Sequence, residues 1–225
     1  MARSYRHPSI AREGWGIIGV LLLLAGLFGW FLDLWEALPP LALAAVALFY
    51  FRDPIRRIPP RPLGVVSPID GRVRSVNEGK DPFLQREQVR RIRMRQSLTG
   101  VHSLRSPIEG KVMERWFHRQ RGRGGRIETV AYWIRTDEDD DVVWTVSLAS
   151  HKLLRMELQP GERVGQGQRC GFAFFPAVST LYLPWASRVT VQPGDRLRAG
   201  EDVLAEFVHR RADLDTVLEG QHAIP

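Results

Sequence analysis

Residues Ser67–Val73 read SPIDGRV, and 39 positions further on Ser106–Val112 read SPIEGKV. Each heptad sets proline and glycine, which suit a turn, before an alternating run, which suits a strand. A second echo follows: QPGERVGQG begins at Gln159 and QPGDRLRAG at Gln192. Repeated turns joined by short β segments, with no long amphipathic helix between them, predict a mainly β fold, a compact sandwich or barrel built from related hairpins. Between the echoes, REQVRRIRMR (Arg86–Arg95) places Val89, Ile92 and Met94 among arginines and is expected to be a strand with one solvated basic face. RQRGRGGR (Arg119–Arg126) and DEDDD (Asp137–Asp141) are expected to be exposed loops.

The N-terminal part differs in kind. Trp15–Leu32 carries no charge and, at about 1.5 Å per residue, is long enough to cross a hydrocarbon core. A second apolar run, Leu38–Phe51, follows a short acidic connection holding Asp33 and Glu36, so a transmembrane helical hairpin is expected over residues 1–53. Arg3, Arg6 and Arg12 precede the pair and Arg52, Arg56, Arg57 and Arg61 follow it. The positive-inside bias therefore puts both flanks, and the globular part, on the cytoplasmic side of an inner membrane. A signal peptide and a buried core helix are the alternatives; the second apolar run and the absence of a small-residue cleavage site argue against the first. The expected organisation is an anchor (1–53), a Pro/Arg-rich link (54–64), a β domain (65–208) and a charged tail (209–225).

The net charge of +7 admits anionic lipid, acidic small molecules or nucleic acid. No aromatic-interleaved basic helix supports nucleic acid, so none is expected as a partner. The one cysteine, Cys170, excludes an intramolecular disulfide. His7, His118, His151, His209 and His222 have no HxH or HExxH spacing, and no metal site is expected.

Taken in order, IAREGW from Ile10, FYFRDP (Phe49–Pro54), VVSPIDGRV from Val65 and GVHSLRSPIEGKV from Gly100 resemble the phosphatidylserine decarboxylases, most closely their short, single-domain form. The resemblance implies a pyruvoyl group made from an internal serine. The serine oxygen attacks the preceding carbonyl, an ester forms, and β-elimination splits the chain, leaving a carbonyl that serves as an electron sink for decarboxylation. It also implies that His102 is the base for that step and Asp70 the carboxylate that orients it, with phosphatidylserine and an anionic lipid surface as partners. Among proteins, a second copy or an active paralogue is the partner it suggests.

The nucleophile is where this chain departs from the pattern. In GFAFFPAVSTLYLP (Gly171–Pro184), aligning Gly171, Phe175 and Tyr182-Leu183-Pro184 on the family's landmarks puts Pro176-Ala177 where a Gly-Ser pair belongs. Alanine has no oxygen to attack with, and in this register no pyruvoyl forms. A two-residue slip instead offers Ser179, at the expense of the landmarks on both sides; it preserves strand facing. The family's Asn-Glu pair is also missing, and SLASHKLLRM (Ser147–Met156) matches only loosely. Three functions remain open on sequence: a self-processing decarboxylase, a non-catalytic homologue that binds aminophospholipid or a partner, and a lipoyl- or biotinyl-like barrel adaptor, which lacks a modifiable lysine in a carrier hairpin.

Overall fold

The structure, a computed structural model, describes residues 9–61, 63–122 and 125–208. The expected tail, together with Arg3, Arg6, His7, His209 and His222, lies outside them.

Two helices come first, α1 (Trp15–Phe31) and α2 (Leu38–Tyr50). They form a hairpin whose two ends are stitched together: Ala11 N donates to Phe51 O at 2.7 Å and Asp53 N to Ser9 O at 2.7 Å. Gly14 is required there, since a Cβ would stand 2.4 Å from the Phe51 ring. Among the described residues, the segment Arg12–Phe31 is the one helix long and apolar enough to cross a membrane; α2 is shorter.

The strands are β1 (Gly64–Val66), β2 (Gly71–Asp81), β3 (Arg86–Gln96), β4 (Ser103–Arg105), β5 (Gly110–Gly122), β6 (Gly125–Arg135) and β7 (Asp141–Leu148). They continue as β8 (Leu154–Met156), β9 (Arg163–Val164), β10 (Arg169–Ala173), β11 (Val178–Pro184), β12 (Arg188–Val189), β13 (Arg196–Leu197) and β14 (Val203–Glu206). Among the described residues they make an eight-stranded antiparallel sheet, β13-β2-β3-β11-β7-β6-β5-β9, and two three-stranded sheets, β1-β14-β12 and β4-β10-β8. The large sheet curls into an open half-barrel rather than closing. The side chains on one face of it, among them Met94, Tyr132, Trp144 and Leu181, are buried with Val65, Leu104 and Leu204 from the small sheets in one core.

The echoes in the sequence are two structurally equivalent corners. Ser67 Oγ donates to Ile69 O and Ser106 Oγ to Ile108 O, each at 2.7 Å. The corners also clasp each other, with Val66 N donating to Pro107 O and Arg105 N to Pro68 O. The second echo repeats the relation: Gly161 N reaches Val112 O as Gly194 N reaches Val73 O, and Gly167 N reaches Ser106 O as Gly200 N reaches Ser67 O. Gly161 and Gly194 supply the positive φ (92° and 101°) expected of turn glycines. Gly71 and Gly110 serve differently. A Cβ on them would lie 2.1 Å from Arg95 O and 2.3 Å from Arg135 O, so close backbone approach, not turn geometry, demands glycine there.

The basic stretch expected to be a loop is instead the β5–β6 hairpin, in which Arg119 faces Glu128 and Arg121 faces Arg126. A charged sequence can hold a ladder because Glu128 draws Arg119 and Arg126 to one carboxylate oxygen, both at 3.0 Å. The acidic stretch does turn between strands, with Asp139 at φ 63°, but its last residue opens β7 and binds Arg135.

Candidate functional site

His102 precedes β4 and is fully buried. Both ring nitrogens already face backbone carbonyls, Nδ1 that of Ala173 at 3.0 Å and Nε2 that of Leu98 at 3.1 Å. Tyr50, at the end of α2, stacks on the imidazole with centroids 4.4 Å apart and donates its hydroxyl to Phe174 O. The base of the helical hairpin therefore covers one side of the histidine.

Asp70 does not bond the imidazole. Its Oδ2 accepts from Arg56 at 2.7 Å and from Val101 N at 3.2 Å, and its Oδ1 accepts from Ala199 N at 2.7 Å. It fixes the backbone one residue before His102, and its carbonyl takes Ser97 N at the start of the loop that supplies Leu98 O. Its effect on the imidazole runs through this loop.

Ala177 lies just ahead of β11, buried in the core. Both its backbone groups are held by Gln96: Ala177 N donates to Oε1 at 3.1 Å, and Gln96 N donates to Ala177 O at 2.9 Å. Gln96 Nε2 then reaches Val101 O at 3.2 Å. A continuous hydrogen-bonded path thus runs Asp70, Val101, Gln96, Ala177, and His102 is the residue after Val101. Ser179 is two residues further, inside β11, where it pairs with Met94 of β3 and Val146 of β7. Its buried Oγ accepts from Trp144 Nε1 at 2.9 Å. It makes no bond to His102. The structure thus links Asp70 and Ala177 through Val101 and Gln96, next in sequence to His102, and gives Ser179 a different partner.

Beneath the site, Asp53 of FYFRDP is a buried junction. It accepts from Ser103 Oγ at 2.7 Å, Arg105 Nη2 at 2.9 Å and Arg169 Nε at 3.0 Å, and Arg169 also reaches Glu13 at 2.7 Å. Burial pushes the Arg105 guanidinium down while Asp53 opposes it. For Arg169, burial also pulls down, but Glu13, Asp53 and Glu157 outweigh it and the net shift is upward. Glu13 and Asp53 bracket the helical hairpin, so these ion pairs fasten it to β4, which follows His102, and to β10, whose Ala173 carbonyl meets the His102 ring.

SLASHKLLRM carries the chain from β7 into a short turn, where His151 N donates to Glu128 Oε2 at 2.6 Å and the His151 ring binds the same oxygen. These bonds, the backbone one foremost, hold the Glu128 carboxyl down at about 2.

Gln96, Tyr50 and Asp53 were not singled out from sequence, although Tyr50 and Asp53 both lie within the FYFRDP motif.

The model of the phosphatidylserine decarboxylase family matches residues 43–205. The chain belongs to the phosphatidylserine decarboxylase family. Proteins named phosphatidylserine decarboxylase proenzyme are similar to it along nearly their whole length. The protein from Nitrosomonas europaea is 38% identical over 90% of this chain and 97% of its own. That from Nitrosomonas eutropha is 36% identical with the same coverage. That from Aromatoleum aromaticum is 34% identical over 92% of this chain and 100% of its own. No solved structure matches. Membership in this family implies a part in phospholipid biosynthesis, with phosphatidylserine as the substrate class.

Proposed function

We propose that the chain is an inner-membrane, cytoplasm-facing protein of phosphatidylethanolamine metabolism that keeps the family's fold and lipid site but stays one uncleaved polypeptide. The observation that carries this reading is the contrast between Ala177 and Ser179. Ala177 is tied through Gln96 to Val101, the residue before His102, and in the family's ungapped register it stands where the nucleophile belongs, but it ends in a methyl group. Ser179 has a hydroxyl, but it is committed to the Trp144 indole in mid-strand. Cleavage before Ser179 would cut a strand between its ladder bonds to β3 and β7. The residues present therefore do not fit a self-derived pyruvoyl group, and no decarboxylation step is derived through one.

Membrane attachment is supported by what the helices expose: Leu23 is 62% accessible, Trp30 83% and Phe31 74%. Leaving such a continuous apolar surface in water is unfavourable, whereas a bilayer covers it. Arg52, Arg57 and Arg61 then stand where anionic headgroups are, each contributing about 1 kcal/mol when exposed to the surface, whereas Arg56 is taken up by Asp70. With a methyl at position 177 the lipid role is binding, or support of a processed relative or second copy.

Restoration is the test. Pro176→Gly with Ala177→Ser supplies the missing oxygen and backbone freedom while leaving Asp70, Gln96 and His102 intact. The double variant should split into two chains, the smaller blocked at its N-terminus, and should release carbon dioxide from phosphatidylserine. A double variant that folds like its parent yet stays whole refutes this register.

A further inference from the structure

The large sheet curls over the face opposite the core. Phe83, in the β2–β3 turn, packs on Trp116 of β5 with ring centroids 5.4 Å apart and meets Tyr182 of β11 at 6.2 Å. In sheet order β3, β11, β7 and β6 all lie between β2 and β5. The two hairpins thus close toward each other and leave a trough inside the half-barrel. It has two connected halves, of ≈ 460 Å³ and ≈ 670 Å³, which share Gln120, Thr129 and Ser147.

The halves differ in chemistry. Phe83, Trp116 and Tyr182 wall the smaller one, and Arg74, Arg93 and Arg95 line the larger. The shared floor offers hydroxyls, with Thr129 Oγ1 and Ser147 Oγ 2.8 Å apart. Among the described residues, no acidic side chain lines either half. Elsewhere on β3, Arg86 is paired with Asp81 and Arg90 with Glu78. Arg74, Arg93 and Arg95 are exposed and form no ion pair among the described residues. Arg95 even stands directly across the ladder from Arg72. Like charges opposed in this way repel, and an anion between them turns repulsion into attraction.

We propose that this trough binds a phosphoester. The phosphate lies among Arg74, Arg93 and Arg95, a hydroxylated body crosses Thr129 and Ser147, and the far end rests on Trp116. The ladder sets the scale: Val178 is level with Arg95 and Tyr182 with Arg91. Four residues of strand are about 13 Å, the length of a small organic phosphate or of a phospholipid headgroup with its glycerol. The site occupies the face of β11 opposite Ala177 and Ser179, so it goes beyond the reading above and does not depend on whether the chain is cleaved.

Calorimetric titration of the full chain in neutral detergent tests it, with glycerol 3-phosphate as the soluble probe and dihexanoyl phosphatidic acid, below its micellar concentration, as the lipid probe. Saturable binding of glycerol 3-phosphate identifies a soluble phosphoester as sufficient; binding of the phosphatidic acid alone identifies a lipid headgroup. In either case Arg93→Gln with Arg95→Gln should weaken the affinity about tenfold or more at an unchanged melting temperature. Arg188→Gln, on β12, should leave affinity as it was. The proposal is overturned if neither probe binds, or if binding survives the Arg93/Arg95 double variant, or if Arg188→Gln weakens it equally.

Discussion

Asp53 makes the most demanding prediction about how the anchor and the β domain hold together. Replacing it with alanine strips a fully buried carboxylate from Ser103, Arg105 and Arg169 at once. Arg105 is 1% exposed, so its charge would be left in the interior without that counterion. Breaking one partner of a buried pair costs about 3–5 kcal/mol, most of it the penalty on the abandoned charge. For a chain of this size each kcal/mol shifts the midpoint by about 2–4 °C, so Asp53→Ala should melt about 6–20 °C below the parent. The assay is thermal unfolding in detergent, followed by circular dichroism, together with limited trypsinolysis. Cuts should appear in the Arg52–Arg61 segment, because Asp53 also receives the guanidinium of Arg169, which in turn holds Glu13. Replacing both Asp53 and Arg105 by apolar residues should recover part of the loss, since no buried charge is then orphaned by its partner. A variant that melts within a degree or two of the parent, with trypsin sites unchanged, refutes the view that this junction fastens the helices to the β domain.

Other outcomes follow from the same geometry. Glu128 is held at about 2 against an ordinary 4.5, so its contribution to stability is complete above pH 4.5 and is lost as pH falls from there toward 2. Glu128→Gln should remove that part of the acid sensitivity, read as a flatter dependence of urea midpoint on pH across this window. Burial pushes the Cys170 thiol well above its usual range, so native protein should resist iodoacetamide at neutral pH and react only once unfolded. Ser179→Ala leaves the Trp144 N–H buried without its acceptor and should cost about 1–3 kcal/mol in chemical denaturation, without changing whether the chain is cleaved.

The parts of this fold that were legible in sequence are those where a local rule and the tertiary structure agree. SPIDGRV and SPIEGKV announced two matching corners because each needs a proline turn, and each needs a glycine to let a neighbouring carbonyl approach. Arg86–Arg95 read as a strand because Ile92 and Met94 alternate with arginines, and those two residues do enter the core. Other parts had no local signature. Arg119–Arg126 looked like a solvated loop because the carboxylate that organises it, Glu128, becomes its neighbour only when the hairpin forms. Gln96 is an unremarked amide at the end of a basic strand, yet it ties Ala177 to Val101. Asp53, Arg105 and Arg169 meet across large separations along the chain. The trough arises from the curl of the sheet, which alternation of side chains along a strand does not encode.

At the site, sequence brought His102, Asp70 and the Pro176-Ala177 pair to notice, and left open whether Ser179 could take the missing role. Placement bears on that question through hydrogen bonds. Ser179 shares a strand face with Ala177, as a slip of two requires, but its hydroxyl engages Trp144 while both imidazole nitrogens of His102 engage carbonyls.

The central claim is that this polypeptide never cuts itself. Mass spectrometry of the intact protein, purified from cells without exposure to added amines, reads it directly. The account predicts one species at the mass of the full chain. Two species, the smaller beginning with a pyruvoyl group at position 179, would contradict it.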